Sequence, residues 1–204
     1  MGPVTGEGPL DEAVARMCAG DPDAFRTVYR SVQGPLLRYL EVLVGREDAE
    51  DVASETWGQA ARDLARFSGD ADGFRGWITT IGRHRALDLL RQRSRRVRAD
   101  QDLSGIEVSD ARDLDLQVTE SLSTEAALAL IRSLPRDQAE AVMLRAVMGL
   151  DAKTAGRILG KRPGAVRSAA QRGLRSLERT LDSRPESLLD VRGAIGHFGA
   201  EGVG

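Results

Sequence analysis

The residues best equipped for chemistry in this chain of 204 amino acids are arginines and a glutamine, not nucleophiles or metal ligands. Between Gly149 and Leu181, Arg167, Ser168, Gln171, Arg172 and Arg175 recur at helical spacing, opposite Val166, Ala169, Ala170, Gly173, Leu174 and Leu177. Arginine and glutamine can each pair two hydrogen bonds with a base edge, and further arginines can hold phosphates. Just upstream, Leu150, Ala155, Ile158 and Leu159 form a second apolar set. Gly160 falls where a helix C-cap belongs, and Pro163 suits the first turn of a new helix. The pattern is that of a helix-turn-helix whose second helix enters a DNA major groove. An ordinary helical hairpin with a solvated basic face has the same pattern, and this stretch alone leaves both readings open.

A second concentration of cations lies upstream. Residues 83–98 hold seven arginines against one acid, Asp88. Like charges spaced i,i+4 on a helix repel, so this density calls for a polyanion nearby. Ahead of it, Glu47, Asp48, Glu50, Asp51 and Glu55 put five acids into nine residues. Part of that cluster suits the positive end of a helix; the rest is a docking face for a basic partner or a solvated face. The charge then inverts: residues 99–125 carry eight acids and a single arginine, Arg112, with weak periodicity. That is the signature of an acidic linker.

These patches matter because the net charge is only −2; any nucleic-acid affinity must come from segregated positive charge. Hydrolase and metalloprotease motifs and phosphate-cradling glycine loops are absent. The two histidines, His84 and His197, stand far apart without ligand-spaced companions. No enzymatic activity, cofactor or metal is expected. Cys18, the single cysteine, reads as a small buried hydrophobe in preference to a redox-sensing thiol. The first residues lack a basic and apolar leader, and no apolar run is long enough to span a bilayer, so a cytoplasmic protein without membrane insertion is expected.

The elements that would position these residues are all helical, and no alternation of strands and helices occurs. Helices are expected over 10–19, 23–43 (bent or broken at Pro35), 47–67 and from about Phe74 to Arg96 or beyond. A polar loop is expected over Ser68–Gly73. Helical signals resume at Ser123, break at Ser133-Leu134-Pro135, restart over Pro135–Val147 and run into the helix-turn-helix. The expectation is an all-α fold: two small helical domains, 10–98 and 122–182, joined by an acidic flexible linker, 99–121, and followed by a glycine-rich tail, 183–204. The second domain has about four helices.

Three words carry a family resemblance: DAEDVASETW (Asp48–Trp57), FRGWITTIGRHRALDLLRQRSRR (Phe74–Arg96) and SLPRDQAEAVMLRAVMGLDAKTAGRILGKRPGAVRSAAQRGLRSL (Ser133–Leu177). In this order they resemble the extracytoplasmic-function (ECF) sigma factors of bacterial RNA polymerase. The resemblance implies that Asp48, Asp51, Glu55 and Gln59 dock on core RNA polymerase. It implies that the Ser68–Gly73 loop and the helix after it engage and melt the −10 promoter element, with Arg75, Arg83, Arg85, Arg91 and Arg95 on phosphates or bases. It further implies that Arg162, Arg167, Ser168, Gln171 and Arg172 read the −35 element, that the linker threads the polymerase cleft, and that an anti-sigma factor restrains the protein. Phe74 and Trp77 read as core supports.

The chain departs from the family pattern at Arg162, which offers no capping oxygen, and at Lys161, where an apolar residue is usual. Gly156 stands where alanine is usual, and both are small enough for close helix approach. Gly173 is expected to cost about 1 kcal/mol against alanine in a helix interior, which would leave the second domain marginal alone. The alternative is a stand-alone helix-turn-helix regulator with a helical sensing domain.

Overall fold

A computed structural model describes residues 8–101 and 121–182. Among them are eight α-helices and no strand: α1 (Pro9–Cys18), α2 (Pro22–Val44), α3 (Arg46–Asp63), α4 (Ala71–Gln101), α5 (Ser121–Arg132), α6 (Arg136–Val142), α7 (Ala152–Leu159) and α8 (Pro163–Asp182). A 3₁₀ turn, Leu64–Arg66, follows α3, and a π-helical turn, Met143–Val147, follows α6. The expected linker and tail fall largely or wholly outside the described residues, although α4 continues through Gln101.

The central strut is α2. Asp21 accepts from the amides of Asp23 and Ala24 at 2.8 and 3.2 Å, and Pro22 opens the first turn without wasting a donor. The helix runs unbroken through Pro35 to Val44, so of the bend or break expected at Pro35 the break does not occur. Its stripe of Val28, Val32, Leu36, Tyr39 and Leu40, none more than 1% exposed, keeps packing on both sides of the proline. Tertiary burial here outweighs one lost backbone hydrogen bond.

Around α2 pack α1, α3 and α4. The inward stripe of α3 is Ala49, Val52, Ala53, Thr56, Trp57 and Ala60. The Trp57 indole N–H donates to Gln33 of α2. Asp11 accepts from the Ala71 amide at 2.8 Å, tying α1 to the start of α4. Asp70 accepts from the Gly73 amide at 2.7 Å. This cap moves the helix start forward, so the loop is only 67–70 and Ala71, Asp72 and Gly73 belong to α4, not to a loop ending at Gly73. Phe74 is 1% exposed and Trp77 half-buried, each against the Phe67 ring; both support the core. Cys18 ends α1 exposed, not buried as expected, and partial desolvation pushes its thiol up, away from the reactive thiolate.

The second half is built around α6, a helix buried over four consecutive residues, Ala139–Val142. One face meets α8 and another meets α2. The main apolar core therefore runs without a break from Val14 to Leu177, through both halves of the chain.

Two glycines set how closely these helices approach. A Cβ on Gly173 would lie 2.7 Å from Val142 Cγ2, 3.3 Å from Leu134 Cδ1 and 3.4 Å from Gln138 Cβ. A Cβ on Gly156 would lie 2.6 Å from the Lys161 carbonyl oxygen, so alanine is not an equivalent there. The small residues are packing devices, and the propensity cost at Gly173 is set against a close α6–α8 contact. Gly173→Ala gains about 1 kcal/mol of helix propensity but overpacks a filled contact at a cost of about 1–3 kcal/mol. A net loss of stability is expected in urea unfolding of the full chain; equal or greater stability would contradict this role.

Candidate nucleic-acid interface

The helix-turn-helix forms as α7, a turn and α8. Asp151 caps α7 by accepting from the Thr154 amide at 2.7 Å. Hydrogen bonds from Thr154, its side chain first and its amide second, hold the Asp151 carboxyl below the usual carboxylate range. Gly160 closes α7 at φ 65°, ψ 32°, and the Lys161 amide returns to the Gly156 carbonyl at 2.9 Å. Lys161, apolar in the usual pattern, pairs with Asp137 of α6. That contact is the leading cause of the depressed Asp137 carboxyl, and it pins the turn to the helix behind it. Pro163 then starts α8.

Along α8, Val166, Ala169, Ala170, Gly173, Leu177 and Leu181 face inward. Arg162, Arg167, Ser168, Gln171 and Arg172 are all exposed. The four on α8 form one stripe, with Arg175 a turn further on, while Arg162 stands at the helix entrance. The stripe is held rigidly because its opposite face is core.

The five arginines expected at the −10 element do not share a face. Arg91 and Arg95 lie on the solvent-exposed end of α4, with Arg91 2.8 Å from Asp88. Arg85 donates to the Gln59 side-chain carbonyl at 3.1 and 2.9 Å. Arg75 pairs with Asp72 one turn back. Arg83 is turned inward, its Nε 2.8 Å from Glu140 of α6.

The residues expected to dock on a protein partner, Asp48, Asp51, Glu55 and Gln59, recur every three or four residues along one side of α3. Asp51 and Glu55 are exposed. Asp48 accepts from Arg93 at 2.6 Å, Gln59 holds Arg85, and Glu55 lies 3.8 Å from Arg85. Part of the surplus acid on α3 therefore answers the surplus arginine on α4 inside the molecule.

The Glu140 partnership was missed in sequence reasoning. Its one local signal is a carboxylate inside an apolar run, Ala139–Leu144, which calls for a buried cation. A second omission is the aromatic group Phe25, Tyr29 and Trp57, whose ring centroids lie 4.8–6.4 Å apart. Tyr29 is its exposed edge, and no contiguous motif announces it.

Sequence comparisons decide the family. The profile of Sigma-70 region 2 matches residues 26–96, and that of Sigma-70 region 4 matches 124–177. The ECF RNA polymerase sigma factor ShbA of Streptomyces griseus is 33% identical over 174 residues, covering 80% of this chain and 91% of that protein. SigD of Mycobacterium tuberculosis is 30% identical over 175 residues, covering 83% and 82%. The chain belongs to the ECF sigma factors. BldN of Streptomyces coelicolor is 33% identical over 175 residues, but the match spans 65% of its length and 83% of this chain.

Two solved structures share the fold. CnrH in complex with the cytosolic domain of CnrY has a TM-score of 0.59 at 21% identity, covering 86% of this chain and 99% of that one. The sigma factor RpoE in complex with the anti-sigma factor NepR from Bartonella quintana has a TM-score of 0.60 at 23% identity, covering 78% and 98%. Among the described residues no helix is long and apolar enough to cross a membrane.

The cap on α7 makes a measurable contribution. Asp151→Ala is expected to lose about 1 kcal/mol of stability. The folded carboxyl titrates below its unfolded value, so this contribution is present at neutral pH and is lost as pH falls through the folded value. Urea unfolding at about pH 7 and about pH 3 checks both statements. The gap between parent and variant narrows in acid; a gap independent of pH would contradict the assignment.

Proposed function

We propose that this chain is a promoter-specificity subunit. It binds core RNA polymerase, directs it to −35 and −10 elements and helps open the DNA there. The carrying observation is the segregation of cations onto two helices of a chain with net charge −2. One set is the exposed stripe of α8, backed by core; the other is the exposed end of α4.

The division of labour follows from the two geometries. A rigid helix with Arg167, Ser168, Gln171 and Arg172 on one face, and Arg162 at its start, suits base edges and phosphates of an intact duplex. Of the α4 arginines, the exposed Arg91 and Arg95 suit the phosphates of a strand released by melting, while Arg75, Arg83 and Arg85 are engaged with Asp72, Glu140 and Gln59. Strand opening must flip a base from the stack into a protein pocket, and the 67–70 turn beside α4 is the proposed reader. No bond is made or broken by the protein; binding energy to polymerase is converted into promoter choice. On α3, Asp48, Asp51, Glu55 and Gln59 form the proposed polymerase-docking face, centred on the open carboxylates of Asp51 and Glu55. The acidic residues 102–120, outside the described structure, are proposed to follow the polymerase cleft. CnrH and RpoE were each solved with a protein partner, which supports an anti-sigma factor for this chain.

Run-off transcription with core polymerase tests the reading on a promoter recovered by sequencing transcripts after induced expression. Transcription is expected only when chain and core are both present. Tight duplex binding by the free chain, unaffected by core, would favour the stand-alone regulator instead. Within that assay, Arg172→Ala is expected to lose about 1–3 kcal/mol of discrimination at one −35 base pair; a uniform loss over all sequences would make it a phosphate contact. The double variant Asp51→Lys with Glu55→Lys is expected to lose co-purification with core while keeping its helical circular dichroism. Unchanged co-purification would place the docking face elsewhere.

A further inference from the structure

Two unmatched polar groups share one groove beside the α8 stripe. The groove lies between α6 and α8 and measures about 530 Å³, with Gln138 on one side and Arg172 on the other. Gln138 belongs to the first turn of α6, the helix behind the helix-turn-helix. Its side-chain carbonyl oxygen is buried and accepts no hydrogen bond. Arg172 is exposed and forms no hydrogen bond or ion pair among the described residues. A buried acceptor without a partner is unfavourable and calls for a reason.

The backbone fixes where Gln138 stands. Its Cβ lies 3.4 Å from the Cβ position of Gly173, the residue next to Arg172. The close α6–α8 contact therefore sets the acceptor beside the root of this arginine. The other arginines of the groove are placed less well. Arg179 donates to the Arg175 carbonyl and the Ser176 hydroxyl of its own helix, and Arg175 lies further round α8 from α6. Asp137, just before Gln138, adds charge on the same side. Lys161 leads the causes that depress its carboxyl, and the Arg172 charge is a smaller one. An acid in the first turn also suits the α6 dipole, which accounts for Asp137 but not for the unmatched oxygen of Gln138.

A guanidinium has five donors in a planar fork. Two on the outer edge suffice for a base edge or a phosphate, which leaves inner N–H groups to be satisfied. We propose that Gln138 is a positioning residue for Arg172: when Arg172 meets the duplex, the Gln138 carbonyl oxygen accepts one inner N–H and holds the outer edge in a single plane toward one base pair. This rests on the promoter-specificity reading and extends it to a residue that touches no DNA. Asp137 supports the same placement by drawing the guanidinium toward α6. Fixing a long side chain costs rotamer freedom, and an acceptor set behind it lowers that cost for one orientation only. A wrong base pair makes Arg172 either leave Gln138 or forgo the base edge, so the gap between right and wrong sequences widens.

The test uses the full chain bound to core polymerase, titrated on a promoter duplex and on one changed at the −35 base pair where Arg172→Ala lowers discrimination. Gln138→Met keeps the length of the side chain and removes the acceptor. Discrimination is expected to fall about fivefold. The slope of log affinity against log salt should not change, because no charge is altered. Stability in urea should hold or rise, because an unmatched buried oxygen has gone. A loss of stability with discrimination intact would make Gln138 a mere packing residue and overturn the proposal. In an Arg172→Ala background, Gln138→Met should have no further effect on discrimination; an equal fall there would also overturn it. A uniform loss of affinity from Arg172→Ala would leave no base pair to be read through it, and the proposal would fall. If the parent complex shows no preference for the promoter duplex at all, the promoter-specificity reading fails first and takes this proposal with it.

Discussion

Glu140 is a carboxylate that water barely reaches, and the arrangement of the two halves depends on how it is satisfied. A buried charge left alone is severely unfavourable. One partner, Arg136, comes from its own helix, and the other, Arg83, comes from the opposite half of the chain. Because α6 is buried on the face toward α2 and on the face toward α8, this shared ion also fixes the register in which the two halves meet. The apolar core could slide; a two-sided charge contact beside a neutral Tyr39 cannot.

A second consequence concerns how charge is distributed. The acid-rich α3 and arginine-rich α4 lie side by side, with Asp48 on Arg93 and Gln59 on Arg85. Neither helix is simply waiting for an external partner of opposite sign. The intramolecular pairs orient α3 and α4 and leave a smaller, better-defined set of exposed groups: Asp51 and the loosely paired Glu55 on one side, the far end of α4 on the other. Asp48, Gln59 and Arg85 are half-buried, so these contacts also tie α4 to α3.

Much of the fold was legible because its signals are local. The glycine and proline around the α7–α8 turn and the apolar period of α8 each act within a few residues. The α8 stripe was readable for the same reason: a helix with a buried face must present the opposite one. What escaped was tertiary. Pro35 looked like a breaker because its local cost is visible and the stripe that overrides it is not. Gly173 looked like a weakness until Val142 was found against it, and Gly156 looked interchangeable with alanine until the Lys161 carbonyl was placed. Arg83 looked like a free cation because its partner lies 57 residues away.

The central claim is that one chain reads two separated DNA elements as a subunit of polymerase, and it reduces to one distance. Spin labels at the exposed positions Thr27 on α2 and Glu178 on α8, in a Cys18→Ser background, report it by pulsed electron paramagnetic resonance. The account predicts one short, narrow distribution in the free chain that lengthens by tens of ångströms in the complex with core polymerase and promoter, on the scale of duplex rise. The same short distance in free chain and promoter complex would contradict it.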